Sequence, residues 1–193
     1  MVRPNLDYPA RLHIDYVAEH NRLTTFLRWL LVIPHWLALG FVGIAAFVVA
    51  VVAWFAVLIT GRYPRGMFDF LVGVMLWGVR VSAYLLLLTD RYPPFSLRDD
   101  PDYPVRLEVD YQESIARWRP LVNWILAIPF AYAAGALLYA AYFVAIGAWF
   151  TILFTGRYPE GMSDFCVVCL RWSLRQNVFQ LWMTERYPPF EWG

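Results

Sequence analysis

"TGRYPRGMFDF", residues 60–70, returns as "TGRYPEGMSDF" at residues 155–165, an offset of 95. The shorter "TDRYPPF" at 89–95 returns as "TERYPPF" at 184–190, and "DYPARLHIDY" at 7–16 returns as "DYPVRLEVDY" at 102–111, both with the same offset. Single positions obey it too: Ile33 and Pro34 match Ile128 and Pro129, Trp54 matches Trp149, and Trp77 and Arg80 match Trp172 and Arg175. A fixed offset held over so many sites marks two copies of one unit, residues 1–95 and 96–193, joined without a gap.

Between the motifs each copy is apolar. Residues 30–59 and 121–154 contain no Asp, Glu, Lys or Arg, and both runs exceed the ~20 residues that cross a bilayer. Across the chain 60% of residues are Ala, Val, Ile, Leu, Met, Phe, Trp, Tyr or Cys and 16% are charged, against roughly a quarter charged in soluble domains. The composition therefore points to a membrane. Each long helix is expected to stop at Thr-Gly-Arg-Tyr-Pro, where Gly suits a left-handed cap and the residue before Pro is pushed out of helical geometry. A second helix is expected from about Asp69 to Thr89, and from Asp164 to Thr184, with the acid at its positive N-terminal end.

Two spans per copy give four in all. An even number returns the chain to its starting side, which makes the copies parallel repeats about an axis along the membrane normal. On that arrangement Arg3, Arg11, Arg22, Arg28, Arg91, Arg98, Arg106, Arg117, Arg119 and Arg186 share the side of the termini, against Arg62, Arg65 and Arg157 in the two short turns. The excess places both termini in the cytoplasm. In "PVRLEVDY" Val105, Leu107 and Val109 alternate with Arg106, Glu108 and Asp110, a period of two that predicts a half-buried strand. Its copy-one counterpart is expected to pair with it, antiparallel, at the cytoplasmic face. The expected fold class is an all-α membrane protein of two tandem parallel repeats, two transmembrane helices each, with short strand-like cytoplasmic segments.

The combination of "TGRYPxGM", a following "DF", Trp-x-x-Arg within the second helix and a terminal "RYPPF" resembles a bacterial, chiefly actinobacterial, family of integral membrane proteins of unknown function. The resemblance covers nearly the whole chain and implies tandem two-helix modules. It carries over no catalytic or binding residue.

The candidate contact residues are cations. Arg80 and Arg175 fall near the middle of the second helices, where an unpaired Arg costs on the order of 2.5 to 3.5 kcal/mol or more. Arg171 is peculiar to copy two, standing where copy one has Leu76, four residues before Arg175 on the same helical face. Three roles are open to them: donation to backbone carbonyls and aromatic faces in a joint between the copies, contact with a lipid phosphate or other anion, and pairing with an acid on another subunit. Arg62 and Arg157 in the turns are candidates for lipid headgroups. Cys166 and Cys169 read as small packing residues, and of the three histidines only His35 falls in a membrane helix, so one chain offers no paired histidines there for a haem. The pattern supports no catalytic, cofactor or metal site, and a net charge of +1 does not suggest nucleic acid. The function expected is a non-enzymatic assembly or accessory subunit of the bacterial cytoplasmic membrane. It would contact membrane lipids and form a homo-oligomer or part of a larger complex. The alternative is an anion or lipid channel or transporter with an Arg-lined path.

Overall fold

The computed structural model describes residues 8–192, so Arg3, included in the charge count above, lies outside the described residues. Strand β1 (Ala10–Ile14) leads into a long helix α1 (Arg22–Thr60) and then α2 (Arg65–Leu85). Copy two repeats the order with β2 (Val105–Val109), α3 (Arg119–Leu126), α4 (Ile128–Thr155) and α5 (Glu160–Gln180). Copy one runs through Pro34 as one helix, whereas copy two divides at Ala127, just before Pro129.

The repeated turns do what their chemistry dictates. Gly61 and Gly156 cap α1 and α4 at φ 70 and 75°, their N–H groups returning to Val57 and Ile152 carbonyls. Glycine alone enters that left-handed region without a steric cost. The second helices begin directly after Pro64 and Pro159, four residues before Asp69 and Asp164, because proline excludes the preceding residue from a helix and not the following ones. They also end about four residues early, in tight turns whose third residues, Leu87 and Trp182, hold φ 67 and 58°. In copy one that unfavourable backbone is held by three buried leucines, Leu86, Leu87 and Leu88.

The strands pair antiparallel, with Leu12 opposite Leu107, Ala10 opposite Val109 and Ile14 opposite Val105. Leu12 and Leu107 are equivalent in the duplication, so the pseudo-twofold axis passes between them. Ion pairs on the outer surface obey the same axis: Arg11 meets Asp110 at 2.7 Å and Arg106 meets Asp15 at 3.2 Å. Leu12 and Val105 point inward and are buried. Beneath them β1 packs on α5 and β2 on α2, so each copy's strand rests on the other copy's helix. Helices α2 and α5 rest in turn on α1 and α4.

The helices of the two copies run in opposite directions, which corrects the expectation of parallel repeats. Trp149 Nε1 donates to the Thr25 carbonyl (3.1 Å) and Trp54 Nε1 to the Pro120 carbonyl (2.8 Å), so the start of α1 meets the end of α4 and the reverse. The His20 N–H likewise bonds the Gly156 carbonyl and the Ile115 N–H the Gly61 carbonyl. The axis is thus perpendicular to the helices, and a turn and a connection lie side by side at each end. The sorting of ten arginines against three to opposite faces fails for the same reason, since Arg22 sits beside the turn that holds Arg157. Among the described residues three helices, α1, α2 and α4, are long and apolar enough to cross a membrane; α5, the expected fourth span, is not.

The two tryptophan bonds tie the copies together far apart in space and should act independently. Trp54→Phe and Trp149→Phe are each expected to lower stability by about 1 kcal/mol, and the double variant by the sum. Thermal unfolding in detergent micelles reads this, and a strongly non-additive double variant would contradict two separate ties.

Candidate functional site

Of the arginines that the sequence singles out, Arg80, Arg171 and Arg175 lie on one layer, the interface between α2, α5 and the overlying sheet. Arg80 is fully buried. Its Nη1 donates to the Arg98 carbonyl (3.0 Å), its Nε to the Val105 carbonyl (3.4 Å), and its Nη2 pairs with Asp99 (3.0 Å). The Tyr103 ring lies 5.1 Å from the guanidinium carbon. Arg175 repeats the pattern in copy two, with Nη1 on the Glu191 carbonyl (3.2 Å) and the Tyr8 ring at 6.0 Å. Tyr8 and Tyr103 are duplicates, and their hydroxyls donate to the Arg186 and Arg91 carbonyls at the RYP turns. Each "DYP" tyrosine therefore covers an arginine and ties down a helix end.

Arg171 reaches the Leu12 carbonyl of β1 with Nε (3.2 Å), while its Nη1 is buried without a hydrogen-bond partner. The arginine-bearing face is covered by the chain's own strand. Of the three roles open to Arg80 and Arg175, the geometry matches donation to carbonyls and aromatic faces at the joint between copies. Asp99 supplies an intrachain acid that helix periodicity alone does not reveal, because it stands nineteen residues beyond Arg80 in the connection. Arg62 and Arg157 are exposed, at opposite ends of the bundle.

The most elaborate cluster is one the sequence pattern does not single out. At the end where α1 begins, Arg28 is buried and pairs with Asp90, and its Nη1 donates to the Tyr84 (2.9 Å) and Thr89 (3.2 Å) carbonyls. His20 contacts Asp90 with Nδ1 (2.8 Å) and the Val17 carbonyl with Nε2 (3.0 Å), and the Asn21 N–H donates to the same carboxylate. Burial alone would push the Asp90 carboxyl up, but the hydrogen bonds from His20 and Asn21 and the nearby cationic charge outweigh it and hold it below its ordinary range. Copy two keeps an acid at that position, Glu185, bonded to the Ala116 N–H, but replaces Arg28 by Asn123 and His20 by Ile115. An acid directly before both RYP motifs was the signal available in the sequence.

A second difference lies at His35, which is fully buried and accepts from Trp77 Nε1 at its Nδ1 (3.2 Å), inside a cage with Tyr92 and Phe95. Phe130 fills the equivalent cage among Trp172, Tyr187 and Phe190. Cys166 and Cys169 are free and buried, and among the described residues no cluster of His, Cys, Asp and Glu has the grouping of a metal site.

These features define a duplicated, mostly helical unit with an apolar outer layer and a polar strand layer. The chain belongs to the family described as a domain of unknown function (DUF4389), whose model matches residues 22–96 and 117–191, once in each copy. No curated protein and no solved structure matches it.

Asp90→Asn leaves Arg28 buried without its counter-charge and is expected to cost roughly 3 kcal/mol. Asp99→Asn, at a half-exposed acid, should cost under about 1 kcal/mol. Because the folded Asp90 carboxyl titrates below the ordinary 3.8, its contribution is present above that pH and is lost as pH falls through the lower folded value. Unfolding midpoints of wild type and Asp90→Asn measured as acid is added should converge there. Arg171→Leu, which installs the residue of copy one, is expected to be neutral or mildly stabilising, since it removes a buried nitrogen without a partner. Arg80→Leu should cost roughly 2 kcal/mol, since two carbonyls and Asp99 lose their donor.

Proposed function

We propose that the protein is an integral membrane accessory or assembly subunit that lies in one leaflet of the cytoplasmic membrane. In this reading α1 and α4 run along the bilayer plane and the strand layer faces the cytoplasm. The observation that carries the reading is the segregation of apolar and charged surface across the helix layers. Only 17% of the most apolar window of α1 and 22% of that of α4 is buried, and Phe41, Phe47, Tyr139, Phe143 and Phe154 stand exposed. On the other side of α2 and α5 the sheet presents Arg11, His13, Asp15, Arg106, Glu108 and Asp110. Were the helices to stand along the membrane normal, that charged sheet would sit at mid-depth, where each ion costs several kcal/mol. α1 itself has 39 residues, about 58 Å, nearly twice the ~30 Å hydrocarbon thickness. With the helices lying flat, the pseudo-twofold axis coincides with the membrane normal, so both copies would meet the bilayer in the same way.

The charged outer sheet, held rigidly on α2 and α5, is the surface offered to a protein partner or to a second copy. The rival reading, an anion or lipid path lined by Arg80, Arg171 and Arg175, is weakened by the commitment of these side chains to the chain's own carbonyls. Single cysteines at Arg62, Arg157 and Asp102 separate the readings, because Arg62 and Arg157 lie at opposite helix ends and Asp102 lies beside the sheet. Cys166 and Cys169 are buried and give no background to an impermeant maleimide. All three positions are expected to react from the cytoplasmic side alone. Labelling of Arg62→Cys and Arg157→Cys from opposite sides would mean that the helices cross, and would overturn the proposal.

A further inference from the structure

The duplication leaves the two ends of the bundle alike in outline and unlike in charge. At one end the turn after α1 meets the connection that precedes α3: the Arg117 side chain lies against Gly61, its Nε 3.7 Å from where a Cβ would stand, and the Ile115 N–H bonds the Gly61 carbonyl. At the other end Arg22 lies against Gly156 in the same way. Arg62 and Arg157 follow the two glycines. Around these shared residues the sequence diverges. Arg65 and Arg119 at the first end stand where the second has Glu160 and Thr24, and Glu19 at the second stands where the first has Ser114. Glu113, in place of Ala18, changes in the opposite sense.

The first end thus gathers Arg62, Arg65, Arg117 and Arg119 beside the carboxylates of Asp69, Glu113 and Glu185. Two of those carboxylates are engaged: Asp69 pairs with Arg65 at 3.2 Å, and Glu185 accepts from the Ala116 N–H. Glu113 is exposed. The Arg119 guanidinium lies over the Trp118 ring, 4.7 Å from its centroid. Among the described residues Arg62, Arg117 and Arg119 make no ion pair and no side-chain hydrogen bond, so three cations face one unengaged acid. At the second end the balance is reversed. Glu19 bridges Arg157 through the backbone, which sets an acidic residue beside that arginine, and Glu160 begins α5.

We propose that the first end binds the phosphate of an anionic membrane phospholipid, with Arg62 and Arg117 as the contacts and Arg119 adding to the positive field. The guanidinium fork matches two phosphate oxygens at once. A zwitterionic headgroup would carry its own ammonium into the cluster and meet like charge there, whereas a headgroup of net negative charge does not. The inference rests on the membrane-embedded reading above. With α1 and α4 in the hydrocarbon and α2 and α5 above them, the turn from α1 to α2 rises through the headgroup level. Trp118 and Trp124, both about half-exposed, then stand at the depth that tryptophan favours.

The full-length protein in detergent micelles is offered equal amounts of phosphatidylglycerol and phosphatidylcholine with the same acyl chains, and bound lipid is counted by native mass spectrometry. Retention of phosphatidylglycerol is expected to exceed that of phosphatidylcholine about tenfold, the effect of one or two basic side chains at an anionic headgroup. The double variant Arg62→Gln, Arg117→Gln is expected to bring the ratio toward one, while Arg22→Gln, Arg157→Gln at the other end leaves it unchanged. All four side chains are exposed, and near-ultraviolet circular dichroism reports that the variants fold. Because the ratio is taken within one protein, the wild-type result stands even where a variant fails to fold. Equal retention of the two lipids by wild type, or a ratio that both folded double variants lower alike or both leave unchanged, would overturn the proposal. Loss of the preference on adding millimolar inorganic phosphate at constant ionic strength would assign the cluster to free phosphate and would overturn it too. Flotation with phosphatidylcholine vesicles separates the two levels. Failure of the wild type to float refutes the membrane reading, whereas flotation without a preference for phosphatidylglycerol refutes the headgroup site alone.

Discussion

A guanidinium removed from water must find acceptors or cost several kcal/mol, and among the described residues four are buried: Arg28, Arg80, Arg171 and Arg175. Three of them lie under the strand layer: Arg80 and Arg171 bond the strand carbonyls of Val105 and Leu12, and Arg80 and Arg175 bond the carbonyls of Arg98 and Glu191 in the segments that follow α2 and α5. The dependence is mutual. A two-stranded sheet is marginal by itself, and here it is fixed by arginines below and by Leu12 and Val105 buried against α2 and α5. The helices in turn could not carry arginines at mid-length without a cover of carbonyl oxygens.

In the proposed orientation the same constraint sets how the molecule would meet a bilayer. Because the cover is polar on its outer side, the middle of α2 and α5 cannot face lipid tails across that layer, and apolar contact is left to α1 and α4. Parity of spans and a count of arginines per loop assume that the helices of the two copies point the same way, and here they point opposite ways. Here turns and connections share each end of the bundle, so charge is distributed about the twofold axis: Arg22 lies beside Arg157's turn, and Arg117 lies beside Gly61.

Much of the architecture was nonetheless legible. The offset of 95 gave the duplication, the period of two in "PVRLEVDY" gave the strand, and Gly61 and Gly156 gave the helix stops. Antiparallel strand pairing followed from symmetry alone. What escaped were contacts set by the tertiary fold. Asp99 meets Arg80 from a loop and Asp90 meets Arg28 from a turn, neither at helical spacing from its partner. Pro34, a residue that suits the first turn of a helix, lies inside α1, because the capping side chain of Asn21 begins the helix earlier. The low polarity of α4 and α1 was plain, but their relative direction depends on which copy each strand rests on.

That exchange of strands has an evolutionary corollary. β1 lies on α5 and β2 on α2, so a lone module would leave its helix uncovered and its strand unpaired, whereas two identical modules would satisfy each other by trading arms. The present chain has the form of such a swapped homodimer after gene fusion. Fusion fixes the stoichiometry at one to one and removes the requirement that every substitution appear twice. Arg28 with His20 and His35 in one half, and Arg171, Asn177 and Trp182 in the other, are the divergence that this release permits.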